Sequence, residues 1–325
     1  MHLHIDNSTA LGEIFEISPE RLVAALERHP GIDSDLEVTI GQDGEDLEDA
    51  LQTADVLFAW DFPKEQLRQR APRLKFIQIQ GAGVNHLLPL DWLPPEVTLT
   101  NSSGAHGPRA SEYLIMALLA LNCALPSMIS SQAKRQWAPV NNSSIEGKTV
   151  LIYGVGAIGG DCATQAKKFG LHVLGIRRSG AAHPDVDEMH MPSSLNELLP
   201  RADFIVVTAP HTQETDRMFG QAEFDLIKEG AGFVGYSRSK LIDYDALCKR
   251  LKANTLSAIV DVFDEEPLPA ESEYWDVPNL IITPHSSSND PKNHASRSLD
   301  LLFANIQRCV NNEPLANIIN ADLQY

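Results

Sequence analysis

The sequence is short of positive charge. Its 325 residues carry 26 Lys plus Arg against 44 Asp plus Glu, a formal charge of −18. A phosphate backbone or an anionic membrane needs a basic footprint that so acidic a chain does not offer, which argues against nucleic-acid and membrane partners. Cysteine is scarce as well. Cys123, Cys162, Cys248 and Cys309 lie far apart with no C-x-x-C or other metal-ligand spacing. They are expected to be reduced thiols rather than a disulfide framework, and no metal site is expected. Long apolar runs are missing too: the longest, Tyr113 to Leu121, is about half the ~18 residues that span a bilayer. The opening MHLHIDNSTALGE has no basic stretch followed by an apolar one, so no signal peptide is expected and a cytoplasmic location is. What is present is ordinary globular usage, 43% hydrophobic and 22% charged residues with both signs interspersed. The surplus acid reads as a surface property, compatible with a high-salt environment.

At about 150 residues per domain the length suggests two domains. Short β-rich runs alternate with helical patterns throughout. The first series is LHI (3–5), EVTI (37–40), VLFAW (56–60), FIQIQ (76–80) and TLT (98–100). Between them the clearest helix starts at Ser18-Pro19-Glu20, with Ser18 as N-cap, Pro19 at the first helical position and Glu20 facing the positive dipole end. A second series, TVLIYGV, HVLGIR, FIVVTA, GFVGYS, SAIVDVF and LIITPH, is apolar at nearly every position, as parallel strands covered on both faces are. Alternation of this kind predicts an α/β fold of right-handed βαβ crossovers and parallel sheets. Long helical patterns from about Pro108 to Ala124 and from Lys292 to Val310 flank the second series. The tail from Pro314 is too short to be a domain and is expected to return to the first series. Two doubly wound domains follow, a Rossmann domain over 103–293 inserted into a flavodoxin-like one formed by 1–102 and 294–325, with the active site in the crevice they share.

Gly154-Val155-Gly156-Ala157-Ile158-Gly159 follows a predicted strand and opens a predicted helix. That context suits a dinucleotide site: one glycine for the tight turn, one for the approach of the pyrophosphate and one for helix–strand packing, with the pyrophosphate on the helix N-terminus. Roughly 20 residues on, where a carboxylate would bind an NAD ribose, stand Arg177, Arg178 and Ser179, with no Asp or Glu until Asp185. Two guanidinium groups and a hydroxyl suit a 2′-phosphate, so NADP(H) is expected to be preferred, with NAD(H) possible.

Ligands in open α/β sheets bind beyond the carboxyl ends of the strands. In the second series those ends deliver Arg238, the acidic run Asp264-Glu265-Glu266, and His285. Such a set can reduce a carbonyl. His285 would protonate the oxygen, Glu266 would orient the imidazole, and Arg238 would pair with a substrate carboxylate and polarise the carbonyl.

Five segments, IQGAGVNHLL (79–88), GVGAIGG (154–160), FVGYSRSKLIDYDAL (233–247), DVFDEEPLP (261–269) and ITPHSSS (282–288), carry a resemblance over essentially the whole chain to the D-isomer-specific 2-hydroxyacid dehydrogenase family. The resemblance implies Arg238, Glu266 (the acid immediately before the proline) and His285 as catalytic residues. It implies that the loop Gln80, Gly81, Ala82, Gly83 and Val84 binds the substrate carboxylate through backbone N–H groups. It places Pro210 and His211 beside the nicotinamide, and it implies a homodimer contacted through the arm that contains Trp137. The expected substrate is a small 2-keto acid, reduced to the D-2-hydroxy acid. The arginine pair resembles the NADP-using reductases more than the NAD-using members.

Some positions depart from the family pattern. Asn-x-x-Arg-Gly is here Gly235-Tyr236-Ser237-Arg238-Ser239, which puts Tyr236 forward as a substrate contact, and the histidine is followed by three serines where a Gly-containing run is usual. Two other readings draw on the same family. A formate- or phosphite-type dehydrogenase is disfavoured by the presence of Glu266, and a panel of hydride donors would separate it. A dinucleotide-sensing interaction protein, like the family's co-repressor, would bind NAD(P)H tightly and turn over no keto acid.

Overall fold

The computed structural model describes residues 1–32, 36–321 and 323. The chain divides into two compact units, 1–106 with 289–325 and 107–288. The sequence reading put these breaks at 102/103 and 293/294. Residues 322, 324 and 325 of the expected first-domain tail lie outside the described residues.

The first unit is built on five parallel strands, β1 His2–Asn7, β2 Glu37–Gln42, β3 Val56–Ala59, β4 Phe76–Ile79 and β5 Thr98–Asn101, in the order β2-β1-β3-β4-β5. This is the flavodoxin-like order, whose switch point lies between β1 and β3. The inner strands β1, β3 and β4 are buried along their whole length, so their uninterrupted apolar runs are what burial on both faces selects. One face is covered by helices Pro19–Arg28 and His294–Val310, with Leu3, Ile5, Val56, Phe58 and Phe76 meeting Leu299, Leu302, Phe303 and Ile306. The tail returns to the edge strand: the Ile319 N–H donates to the Leu99 carbonyl at 2.9 Å, and Thr100 bridges Ile318 antiparallel.

The second unit has seven parallel strands: β6 Thr149–Tyr153, β7 His172–Ile176, β8 Glu188–His190, β9 Phe204–Val207, β10 Ala231–Gly235, β11 Leu256–Val260 and β12 Leu280–Ile282. Their order, β12-β11-β10-β9-β6-β7-β8, is that of a Rossmann domain with an added edge strand, and the switch point falls between β6 and β9. Helix Gly107–Asn122 packs on β10 and β11 and on helix Ala157–Lys168. The helical pattern expected to run to Ala124 stops at Asn122, because Ala124 takes a left-handed conformation (φ 56°) before a second helix, Leu125–Ala133, begins. Among the described residues no single helix is long and apolar enough to cross a membrane.

Candidate active site

The glycine turn lies at the switch point of the second sheet. Gly154 has φ 106°, and a Cβ there would lie 2.3 Å from the Ala209 nitrogen. A Cβ on Gly159 would lie 2.3 Å from the Gly154 carbonyl oxygen. Contacts within the protein therefore demand glycine at both positions. Gly156 is different: a Cβ there meets nothing within 4 Å, so no protein atom requires its smallness. Open space over a glycine that caps helix Ala157–Lys168, with no side-chain cap bond and no acid in the first turn, fits an anion seated on free N–H groups. Ala157 and Ile158 form the first turn of that helix, and the Thr208 hydroxyl donates to the Gly154 carbonyl at 2.8 Å, bracing the turn. The residues present therefore fit a dinucleotide.

Arg177, Arg178 and Ser179 leave the carboxyl end of β7, Arg177 half-buried and the other two exposed. Arg178 lies 3.7 Å from Glu214, an exposed pair of the kind that contributes little and is easily displaced. The Ser179 hydroxyl accepts from the Ala181 N–H at 3.3 Å. His211 is engaged with Asp216, Nε2 to Oδ1 at 2.8 Å, and the Pro210 carbonyl accepts from the Thr215 hydroxyl at 2.8 Å. Neither carboxylate partner was legible beforehand.

Adjacent strands of a parallel sheet leave on the same side, so the exits of β10, β11 and β12 bring Arg238, Glu266 and His285 together. His285 Nδ1 lies 2.6 Å from Glu266 Oε2, and Glu266 Oε1 accepts the Phe263 N–H at 2.8 Å. The carboxylate is thus held from behind while it holds the imidazole, and Nε2 is left on the far edge of the ring. Nearly half of the His285 side chain is exposed (46%). Arg238 Nη1 donates to the Ser237 carbonyl at 2.7 Å. Burial pulls the Arg238 guanidinium below its ordinary pKa, while Tyr236 and Glu266 oppose that shift; the Glu266 carboxylate is therefore close enough to act on it.

In the first unit the loop Gln80–Val84 follows β4. The Gly81 carbonyl accepts from the Ser102 N–H at 3.0 Å and the Ala82 carbonyl accepts from Asn101 Nδ2 at 2.6 Å. Gly83 is half-buried. A Cβ on Gly81 would lie 2.8 Å from the Trp60 ring, which stacks on His86 with centroids 4.0 Å apart. Trp60 was not singled out from the sequence; its place directly after β3, beside a glycine loop after β4, was the available signal.

Tyr236, expected as a substrate contact, is 7% exposed and packs beside Tyr113, with ring centroids 6.1 Å apart. Among the described residues no group of three or more His, Cys, Asp or Glu is arranged to hold a metal ion.

Residues 115–287, more than half of the chain, match the family model described as D-isomer specific 2-hydroxyacid dehydrogenase, NAD binding domain. The chain belongs to that family of NAD(P)-dependent oxidoreductases. Among its relatives, D-3-phosphoglycerate dehydrogenase of Methanocaldococcus jannaschii is 29% identical over 296 residues, which cover 88% of this chain and 55% of that protein. The chain thus spans about half of that relative. Glyoxylate reductase of Thermococcus gammatolerans is 31% identical over 228 residues, 67% of this chain and 68% of the relative. Several solved structures match from end to end. The NADPH-dependent glyoxylate/hydroxypyruvate reductase of Sinorhizobium meliloti, in complex with NADP and sulfate, has a TM-score of 0.80 at 27% identity and full coverage of both chains. A D-isomer specific 2-hydroxyacid dehydrogenase of Xanthobacter autotrophicus Py2, in complex with NADPH and MES, has a TM-score of 0.84 at 25% identity, covering 99% of each.

Proposed function

We propose that the protein reduces a small 2-keto acid to the D-2-hydroxy acid with NADPH. The observation that carries this reading is the 2.6 Å pairing of His285 with Glu266, in a unit that also carries Arg238 and a glycine turn shaped for a dinucleotide. The reduced nicotinamide, when bound, supplies the hydride that reaches the carbonyl carbon. Gly154, Gly156 and Gly159, with the first turn of the following helix, would hold its pyrophosphate. Arg238 pairs with the substrate carboxylate and draws electron density toward the carbonyl oxygen. His285 gives a proton from Nε2 to that oxygen as the hydride arrives, and takes it back in the reverse direction. Glu266 fixes the ring so that Nε2 faces the substrate. The backbone N–H groups of Gly81, Ala82 and Gly83 are assigned to the same carboxylate, whereas that of Gln80, expected to join them, already donates to the Ala59 carbonyl at 3.2 Å.

The preference for NADP(H) is supported by Arg177, Arg178 and Ser179 at the end of β7, and by relatives whose structures hold NADPH or NADP. A homodimer is supported by Leu125, Met128, Ile129, Trp137 and Val140, apolar side chains left exposed on and after helix Leu125–Ala133; light scattering on the purified chain reads it directly. Oxidation of NADPH and of NADH against glyoxylate, hydroxypyruvate, pyruvate and phenylpyruvate tests the activity. Turnover of at least one with NADPH ahead of NADH is expected, and tight cofactor binding without any turnover defeats the proposal. In the same assay Arg177→Asp should lower the NADPH-to-NADH ratio of kcat/KM by about 10- to 100-fold, the worth of one or two charge-assisted hydrogen bonds. An unchanged ratio removes Arg177 from the cofactor site.

A further inference from the structure

The chain around His285 is fastened to one buried residue. Asp261, which follows β11, is buried to 1% exposure. Its Oδ1 accepts from the Thr283 hydroxyl at 2.5 Å and from the Ser286 N–H at 3.4 Å. Its Oδ2 accepts from the Ser287 N–H at 3.3 Å and from the Ser287 hydroxyl. Its backbone carbonyl accepts the His285 N–H at 2.9 Å. One residue therefore grips the chain on both sides of His285, whose φ of 46° lies in the left-handed region. Residues other than glycine seldom take that conformation, and it persists where the surroundings hold it.

Thr283 is the member of this set that reaches beyond the loop. Its N–H donates to the Val260 carbonyl at 3.0 Å, and its own carbonyl accepts the His285 N–H at 3.1 Å, so its backbone belongs to the same turn. Its hydroxyl has a single proton and gives it to Asp261, which leaves the oxygen to accept. Tyr113 Oη lies 2.7 Å from that oxygen, so the phenol is the donor. Tyr113 sits on helix Gly107–Asn122 and is 5% exposed. Burial raises the pKa of its phenol and keeps the proton in place. The two bonds point the same way, from Tyr113 to Thr283 and from Thr283 to Asp261, and end on the carboxylate that holds the His285 turn. Bonds in such a chain polarise one another, so a hydroxyl that accepts is the stronger donor.

We propose that Tyr113 is a positioning residue that acts through the Thr283 hydroxyl and Asp261 to hold the backbone turn that presents the His285 imidazole. The proposal rests on the catalytic reading above and adds to it a side chain from a helix that delivers no group to the reaction. The chain of bonds ends on the His285 turn and includes no residue of the glycine turn after β6. Its loss should therefore be felt in proton transfer and leave NADPH binding alone.

The test uses the whole purified enzyme with NADPH and its best keto acid. Tyr113→Phe keeps the ring and removes one buried donor, so kcat should fall about three- to tenfold while KM for NADPH stays at the parent value. Thr283→Val removes both bonds and should lower kcat about tenfold or more, and Thr283→Ser, which keeps the hydroxyl, should restore it to within about twofold of the parent. Because the two groups act through one chain of bonds, Tyr113→Phe should add no further loss in the Thr283→Val background. Parent kcat in Tyr113→Phe, with only a lower melting temperature, would reduce the phenol to a packing role and overturn the proposal. Losses that multiply in the double variant would overturn it as well, and so would a Thr283→Ser enzyme as slow as Thr283→Val. Should Thr283→Val fail to fold, Tyr113→Phe decides alone by its kcat. His285→Asn run in parallel separates the two levels. If it keeps full activity, the catalytic reading falls and this proposal with it; if it is inactive while Tyr113→Phe is normal, only the positioning role fails.

Discussion

The two units differ in where they keep their imidazoles. The N-terminal unit, built on the smaller sheet, encloses imidazoles: His2, His4 and His294 are all within its interior. Burial and the neighbouring His2 push His4 down to about 4, and burial with the neighbouring His106 does the same to His294. The second unit encloses carboxylate and hydroxyl groups around Asp261, and keeps the imidazole of its candidate acid, His285, nearly half exposed beside a carboxylate. A buried neutral histidine is a rigid donor–acceptor that supports packing, whereas an exposed one with a carboxylate partner can cycle a proton. Eleven histidines in one sequence are therefore not eleven equal candidates, and burial sorts them.

The largest expected effect breaks the comparison at His285. Asparagine tolerates the left-handed backbone that this position adopts, so His285→Asn should fold normally. Its kcat should fall by about 10²- to 10⁴-fold, the usual worth of a positioned acid–base group, with the melting temperature unmoved. A collapse in stability instead would mean that the exposed ring holds the fold, contrary to the division drawn here.

Acid sharpens the comparison next. His4 and His294 have folded-state pKa values near 4 against an ordinary value of 6.5. The unfolded chain therefore binds protons first as pH falls. The stability associated with each is fully present above about pH 6.5 and is lost as pH drops from there to about 4, roughly 3 kcal/mol per group. Asp6 opposes this in part, since burial raises its pKa. In the second unit the Arg201 guanidinium and His172 lower Glu188 to about 2, so its contribution is lost only below its unfolded value of 4.5. The N-terminal unit should weaken at a higher pH than the second. Urea unfolding at pH 7 and pH 4.5 measures the loss, and His294→Phe should flatten the pH dependence by about half. An unaltered slope in that variant would assign the acid sensitivity elsewhere.

Every described strand but β8, and both long flanking helices, coincide with apolar periodicity that can be read directly, although the apolar runs of β6, β9, β10, β11 and β12 extend two or three residues into the loops that follow. The strand that escaped notice, β8, is Glu188-Met189-His190 at a sheet edge, half-buried throughout, and it carries no apolar run to betray it. Arg238, Glu266 and His285 were legible because a parallel sheet delivers every strand's carboxyl end to one side, so order along the chain implies a shared rim. The depth of Tyr236 was not legible. Whether a side chain just past a strand end turns toward the ligand or toward the core depends on what packs against it from other elements, here Tyr113 on helix Gly107–Asn122, far away in sequence. The part played by Asp261 was not legible either, since only its bonds to Thr283, Ser286 and Ser287 reveal how much of the His285 loop it holds.

The smallest effects compare two helix caps of similar chemistry. Ser18 accepts from the Arg21 N–H at 3.3 Å at the start of helix Pro19–Arg28, and Asp243 accepts from the Ala246 N–H at 3.1 Å at the start of helix Tyr244–Lys252. Replacing either by alanine should cost about 1 kcal/mol, visible as a modest fall in the urea midpoint. Their consequences for activity should differ. The first residue of the second helix, Tyr244, donates its hydroxyl proton to the Val262 carbonyl, and the next residue, Phe263, gives its N–H to Glu266 at 2.8 Å. A frayed first turn there loosens the support of the carboxylate that orients His285. Asp243→Ala should therefore lower kcat about two- to threefold where Ser18→Ala leaves it unchanged, a difference of the size expected for a partly relaxed hydrogen bond. Equal kcat in the two variants, at equal loss of stability, would show that Glu266 is held by its own loop and owes nothing to the helix behind it.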